Sequence, residues 1–170
     1  MPSSSNTSKS RKTSEESPSF ICEIPLKVLS GQEMALLARL EAARQVYNAC
    51  VGEAIRRLNL VRQSKPYRMA IGLAKGDPGR NALFAEARGK HGFKDAALQH
   101  YAVVLRRSWI GDHLDVHTTQ KLATRAFHSV ARVLYGQAKR VRFKGKNQLD
   151  SVESKNNAAG IRWREDHVEW

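Results

Sequence analysis

The first nineteen residues, with their PSSSNTSKSRKTSEESPS run, hold no aliphatic anchor. Such a stretch buries too little apolar surface to offset its ordering entropy, so residues 1–19 are expected to be a disordered tail. The pattern changes at Phe20. Phe20, Cys22, Ile24, Leu26 and Val28 alternate with Ile21, Glu23, Pro25 and Lys27, the period of a strand. Pro25 cannot donate to a ladder and marks an edge strand or one beside a bulge.

Ser30 and Glu33 have capping-box spacing, and Leu36, Leu37, Leu40, Ala43, Tyr47, Cys50, Ala54 and Leu58 then recur at intervals of three and four. That predicts a helix to about Leu60, with Arg39, Arg56 and Arg57 on its other face. Lys65 to Gly79 reads mostly as loop. Asp77-Pro78 opens a short helix with Leu83, Phe84 and Ala87 inward, broken by Gly89 and Gly92. A further helix is predicted from about Lys94 to Trp109, turning Leu98, Tyr101, Ala102 and Leu105 to one side. The clearest helix runs from Thr118 or Thr119 to about Lys139. Leu122, Ala126, Phe127, Val130, Val133 and Leu134 form its apolar stripe, and Lys121, Arg125, His128, Arg132 and Lys139 its other side.

After Gly136 the pattern is extended again, at Val141 to Lys144, about Leu149 to Glu153, Gly160 to Trp163 and His167 to Trp170. The order of strand, helices and strands predicts an α+β fold, with a helical insertion over 30–139 interrupting an incomplete β module of 20–29 and 140–170. Trp170 ends the last strand in mid-pattern, so a truncated or partial chain is expected.

Charge narrows the function. Over 170 residues, 29 Lys and Arg face 16 Asp and Glu, a net charge of +13 and a pI of about 10.2, which points to a polyanionic partner. Two internal segments own the excess: residues 56–107 have twelve bases and three acids, and residues 116–149 have eight bases and no acid. No apolar run approaches the roughly 20 residues that cross a bilayer, so a cytoplasmic, nucleoid-associated protein is expected, with no membrane partner. Cys22 and Cys50 are too few for a disulfide framework and too far apart for a metal half-site; both read as small buried apolar side chains.

Conventional catalysis finds no foothold. The chain contains no phosphate-loop motif, nucleophile elbow or HExxH. Glu23, Asp95, Asp112, Asp115, Asp150 and Glu153 do not cluster as metal-assisted cleavage requires. No catalytic residue, metal ligand set or cofactor is therefore assigned. His113 and His117 stand one helical turn apart but lack a third ligand at a recognised spacing. They read either as part of a solvated helix start capped by Asp112 or Asp115, or as a nucleic-acid contact. The acid-free run, with Phe127, Phe143, Gln120 and Gln137 among its bases, favours RNA or DNA binding over an ordinary solvated face. The candidate nucleic-acid-binding residues are Arg56, Arg57, His113, His117, Gln120, Lys121, Arg125, Arg132, Arg140, Arg142 and Lys144.

Particular residues carry a family likeness. Pro25, Gln32-Glu33, Leu36-Leu37 and Arg44-Gln45-Val46-Tyr47-Asn48 resemble the opening of transposon-encoded TnpB (OrfB) proteins, with their R-x-V-Y-N signature. Ala126-Phe127, Val130 and Arg140-Val141-Arg142-Phe143-Lys144 resemble that family's second landmark, and Ile161-Arg162-Trp163 with Val168-Glu169-Trp170 the hairpin after it. The resemblance spans Phe20 to Trp170. It implies the wedge and recognition portion of a mobile-element, RNA-guided DNA endonuclease related to compact type V CRISPR effectors. A partial wedge-type β-barrel would be interrupted by helices, and guide-type RNA and target DNA would be the partners. It also implies that Tyr47, Asn48, Phe127 and Phe143 are structural motif residues. The RuvC-like nuclease domain and zinc ribbon would lie beyond these residues or on a separate chain, leaving this chain without catalytic activity. Val141 stands where the family usually has proline, and His113 to Gln120 stand where a DNA-facing glutamine is usual. A stand-alone basic DNA-binding regulator laying its last long helix in a groove, or a structural RNA-binding protein, is the alternative.

Overall fold

The computed structural model describes residues 21–170, and the expected tail, with Phe20, lies outside them. Five helices dominate: α1 (Ser30–Gln63), α2 (Lys65–Gly72), α3 (Pro78–Lys90), α4 (Asp95–Leu105) and α5 (Val116–Leu134), with a 3-10 turn at Trp109–Asp112. One hairpin follows, β1 (Arg162–Arg164) and β2 (His167–Glu169), antiparallel with Trp163 opposite Val168.

The 34 residues of α1 make a rod about 51 Å long. Its start is set by Gln32, whose Oε1 accepts the Leu29 N–H at 3.0 Å, so the box sits one residue earlier than the Ser30–Glu33 spacing predicts. Ser64 ends it. The Ser64 hydroxyl donates to Val61 O at 2.6 Å and accepts the Tyr67 N–H at 3.4 Å, closing α1 and opening α2 in one residue. Pro66 sits in the first turn of α2, where its missing N–H breaks no helical bond. The Lys65–Gly79 stretch expected as loop is therefore half helix. Asp77 caps α3 through the Gly79 N–H at 2.7 Å.

The core is a three-helix arrangement in which α5 packs along α1 and against α4, while α2 and α3 pair beside α1. Ala42, Val46, Tyr47, Cys50, Val51, Ala54, Leu58 and Val61 line α1; Leu98 and Ala102 line α4; Leu122, Ala123, Ala126 and Val130 line α5. Small residues on both long helices bring α1 and α5 close. Deep burial pushes the Cys50 thiol up to about 12; Cys22, expected buried, is exposed.

The expected α+β fold with a partial β-barrel is not what forms. Residues 21–29 form no strand and are exposed, with Ile21, Ile24, Leu26 and Leu29 all more than half accessible. A period-two pattern needs a neighbouring strand before it becomes a sheet, and Pro25 removes one donor. Residues 141–144 and 149–153 form no ladder either. Side chains of α1 and α5 bond the backbone of Lys144 and Ser151 instead, and β1 and β2 make the only sheet among the described residues.

Candidate nucleic-acid interface

Arg44 and Asn48 lie one turn apart on α1, at the edge of the buried stripe. Asn48 Nδ2 donates to Lys144 O at 2.8 Å, and the Lys144 N–H donates to Asn48 Oδ1 at 2.8 Å. One amide side chain thus satisfies both backbone groups of Lys144, as a neighbouring strand would. Arg44 adds a third bond, from Nη1 to the same carbonyl at 3.1 Å. Its guanidinium is held by Glu41 through contacts of 2.6 and 2.8 Å, and the Arg44 hydrogen bond keeps the Glu41 carboxyl down at about 2. Tyr47 turns the other way. Its ring is 5% exposed in the core and its hydroxyl lies 3.2 Å from Ser129 Oγ on α5. The residues of the first landmark therefore dock those of the second.

That docking shapes the basic stretch after α5. Gly136, at φ 71°, lets the Gln137 N–H reach back to Arg132 O at 2.8 Å, a Schellman ending that stops α5 at Leu134 rather than near Lys139. Val141 packs on the core, Lys144 is tied to Asn48, and Leu149 is 3% exposed. Just before and between these anchors Lys139, Arg140, Arg142, Phe143 and Lys146 face outward. Phe143 is 54% exposed, with one ring edge over Gly52 of α1. The ion pairs of the described residues engage other bases, leaving Arg132, Arg140 and Arg142 exposed. The result is a positive, partly aromatic ribbon on a rigid support.

The remaining candidates divide differently. Arg56 and Arg57 both bind Glu53 at 2.7 Å, and those hydrogen bonds, Arg56 first, hold the Glu53 carboxyl at about 2 despite partial burial. Arg57 also donates to Gly92 O at 2.9 Å, so it fastens the α3–α4 connection to α1. Lys121 Nζ lies 3.3 Å from Glu153 Oε2. Arg125 donates to Ser151 O at 3.1 Å with its guanidinium 6.0 Å from the Tyr47 ring. The outer face of the first half of α5 is thus crossed by residues 151–153. Phe127 is half-buried, its ring 5.1 Å from that of Phe93.

The start of α5 is occupied as well. Asp115 Oδ1 accepts the His117 and Thr118 amides at 2.8 and 3.0 Å, and Oδ2 the Thr118 hydroxyl at 2.6 Å. Burial raises the Asp115 carboxyl, and the bonds from Thr118 and His117 outweigh it, leaving it below the usual carboxylate range. Gly160, at φ 80°, approaches this carboxylate so closely that a Cβ there would lie 2.9 Å from Oδ1. The amides that sequence reasoning offers to phosphate are therefore filled by a negative side chain. His113 rests edge-on against Trp109 at 5.6 Å, His117 Nδ1 is buried without a hydrogen-bond partner among the described residues, and Gln120 is half-buried.

Sequence reasoning missed a cluster on the other end of α5. Tyr67, Phe84, Arg88 and Tyr135 surround a cleft, and Arg88 Nη1 donates to the Tyr135 hydroxyl at 2.7 Å. Its only sequence signal is the spacing of Asn81, Phe84 and Arg88 on one face of α3. Among the described residues no three His, Cys, Asp or Glu side chains come together as a metal site, and no helix is long and apolar enough to cross a membrane. No protein-family model matches the chain, and no curated protein or solved structure matches it.

Proposed function

We propose that this chain is a nucleic-acid-binding module that acts without cleaving, with the ribbon from Arg132 to Lys146 as its principal contact. The observation that carries this reading is the acid-free segment 116–149, whose last bases project from a backbone anchored at Val141, Lys144 and Leu149. Fixed cations neutralise phosphates without ordering a loop first, and counterion release supplies most of the affinity. Phe143 adds a ring on which a base can stack.

The same reading extends to descent. In a TnpB-like protein this module would hold guide-type RNA and target DNA, with a RuvC-like domain elsewhere doing the cutting, in the cytoplasm at the nucleoid. The supporting observation is that residues 44–48 and 140–144, the two segments that carry the resemblance, meet through three hydrogen bonds across about a hundred residues of chain. The start of α5 supports motif reading poorly, because Asp115 fills its amides.

Fluorescence anisotropy with labelled RNA hairpins and DNA duplexes over a salt series tests the proposal. Arg140→Ala and Arg142→Ala should each flatten the slope of log affinity against log salt by about 0.7 to 0.9 for every phosphate that the arginine neutralises. Slopes equal to the parent's for both variants would reduce the ribbon to an ordinary solvated surface.

A further inference from the structure

A cavity of about 350 Å³ opens between the end of α1, the α2–α3 pair and the C-terminal end of α5, lined by Tyr67, Asn81, Phe84, Arg88, Leu134 and Tyr135. It is at the small end of ligand pockets, which run from about 300 to 1,000 Å³. Tyr67 and Phe84 form one wall, with ring centroids 5.4 Å apart. Tyr135 stands at the mouth, 59% exposed, its hydroxyl held by Arg88. That bond fixes the orientation of an exposed aromatic face before anything binds it.

The rim is positive. Arg80 places its guanidinium 5.4 Å from the centre of the Phe84 ring and is anchored by donating to Ala70 O at 3.1 Å. Arg62 reaches the last turn of α5, with Nη2 3.4 Å from Val133 O. Among the described residues no carboxylate lines the cavity; Glu86, the acid of α3, falls on the opposite side of that helix from Phe84 and Arg88 by helical spacing. Apolar rings below, a primary amide on the wall and guanidinium groups around the edge fit a flat heteroaromatic ring carried by a polyanion.

We propose that this cavity is a subsite for a single unpaired nucleobase of a bound strand. The base lies against Tyr135, Asn81 offers its amide to the base edge, and Arg62, Arg80 and Arg88 face the flanking phosphates. The cavity continues the ribbon directly, because Tyr135 caps α5 and Lys139 and Arg140 follow within five residues. A base held in a duplex cannot reach the Tyr67 and Phe84 rings inside a cleft of this size, so the strand must be single here. The inference rests on the nucleic-acid reading given above and specifies which part of the ligand this end of the molecule takes.

The test uses the full chain with short single-stranded RNA and DNA of one sequence. Two companion series carry an abasic residue at each position in turn. One position should stand out in the parent, its abasic strand binding on the order of tenfold more weakly, the usual size of one base–aromatic stack. Tyr135→Ala should weaken the intact strand by the same factor and leave that abasic strand unaffected, whereas Tyr135→Phe, which keeps the ring and gives up only the hold of Arg88, should lose less than Tyr135→Ala. The polymer in which the effect is found identifies the ligand. Tyr135 is surface-exposed, so its truncation leaves the core intact. Unchanged affinity in Tyr135→Ala, alongside weakened binding in Arg140→Ala and Arg142→Ala, would overturn the base subsite while leaving the ribbon standing. Failure of both polymers to bind the parent at low salt would overturn both.

Discussion

Replacing Asn48 by alanine removes two hydrogen bonds of 2.8 Å and leaves the Lys144 N–H without its partner, while the Lys144 carbonyl keeps the 3.1 Å bond from Arg44. At about 0.5 to 1.5 kcal/mol for each bond, the loss is about 1 to 3 kcal/mol. In a domain of this size 1 kcal/mol moves the melting temperature by about 2 to 4 °C, so Asn48→Ala should melt several degrees below the parent. The effect has a local signature too. The Lys144 amide should exchange slowly with solvent deuterium in the parent and rapidly in the variant, while core amides of α5 change only by the global loss. Asn48→Asp keeps the acceptor and discards the donor, so its loss should be smaller in exchange at Lys144 than that of alanine. Urea titration with circular dichroism supplies the first number and residue-resolved exchange the second. A parent-like midpoint together with an unprotected Lys144 amide in the parent would refute the idea that Asn48 replaces a neighbouring strand.

Tyr47→Ala should cost about 3 to 5 kcal/mol, as for a buried aromatic side chain, and Tyr47→Phe, which gives up only the hydrogen bond with Ser129, about 1 kcal/mol; chemical denaturation of both variants separates ring from hydroxyl. Asp115→Ala should lose about 0.5 to 2 kcal/mol through its cap, again read from the denaturation midpoint. The Glu53 carboxyl titrates lower in the folded chain than its ordinary 4.5, at about 2, so the folded state binds fewer protons and the contribution is complete above pH 4.5. It is lost as the pH falls from there toward 2. Glu53→Gln should therefore show a shallower decline in stability than the parent across that window in acid denaturation.

The helical half of the molecule is legible in the sequence because its signals are local. The stripes of α1 and α5, the Asp77-Pro78 start and Gly136 each act within a turn or two of chain. Leu98 and Ala102 are buried as their spacing requires. Helix α2 is hidden because prolines and glycines dominate its surroundings, although Ser64-Lys65-Pro66 is itself a helix start. The expected β module fails for the opposite reason. Alternation at 20–29 and 140–153 is a local pattern, but a sheet is a relation between distant segments, and the relation that forms runs from the Asn48 side chain to the Lys144 backbone. Of the proposed contacts, Arg140 and Arg142 are exposed, whereas Arg57 and Arg125 hold carbonyls of the chain itself. Charge summed along a sequence does not distinguish these uses. The Tyr135–Arg88 pair joins residues far apart in sequence and leaves no periodic trace.

The pairing of α1 with α5 also sets the order in which the protein can assemble during synthesis. Roughly 70 residues separate Val61, the last buried position of α1, from Val130 on α5. At about 5 to 20 residues per second a ribosome needs about 4 to 14 s to make that stretch. For an equal interval, between the emergence of Val61 and that of Val130 from the exit channel, the apolar face of α1 has only α2, α3 and then α4 to lean on. A stripe of Val46, Tyr47, Val51 and Leu58 left waiting for seconds is a natural target for holding chaperones and for association between nascent chains on one message. Folding yield should therefore respond to translation speed through codons 64–115.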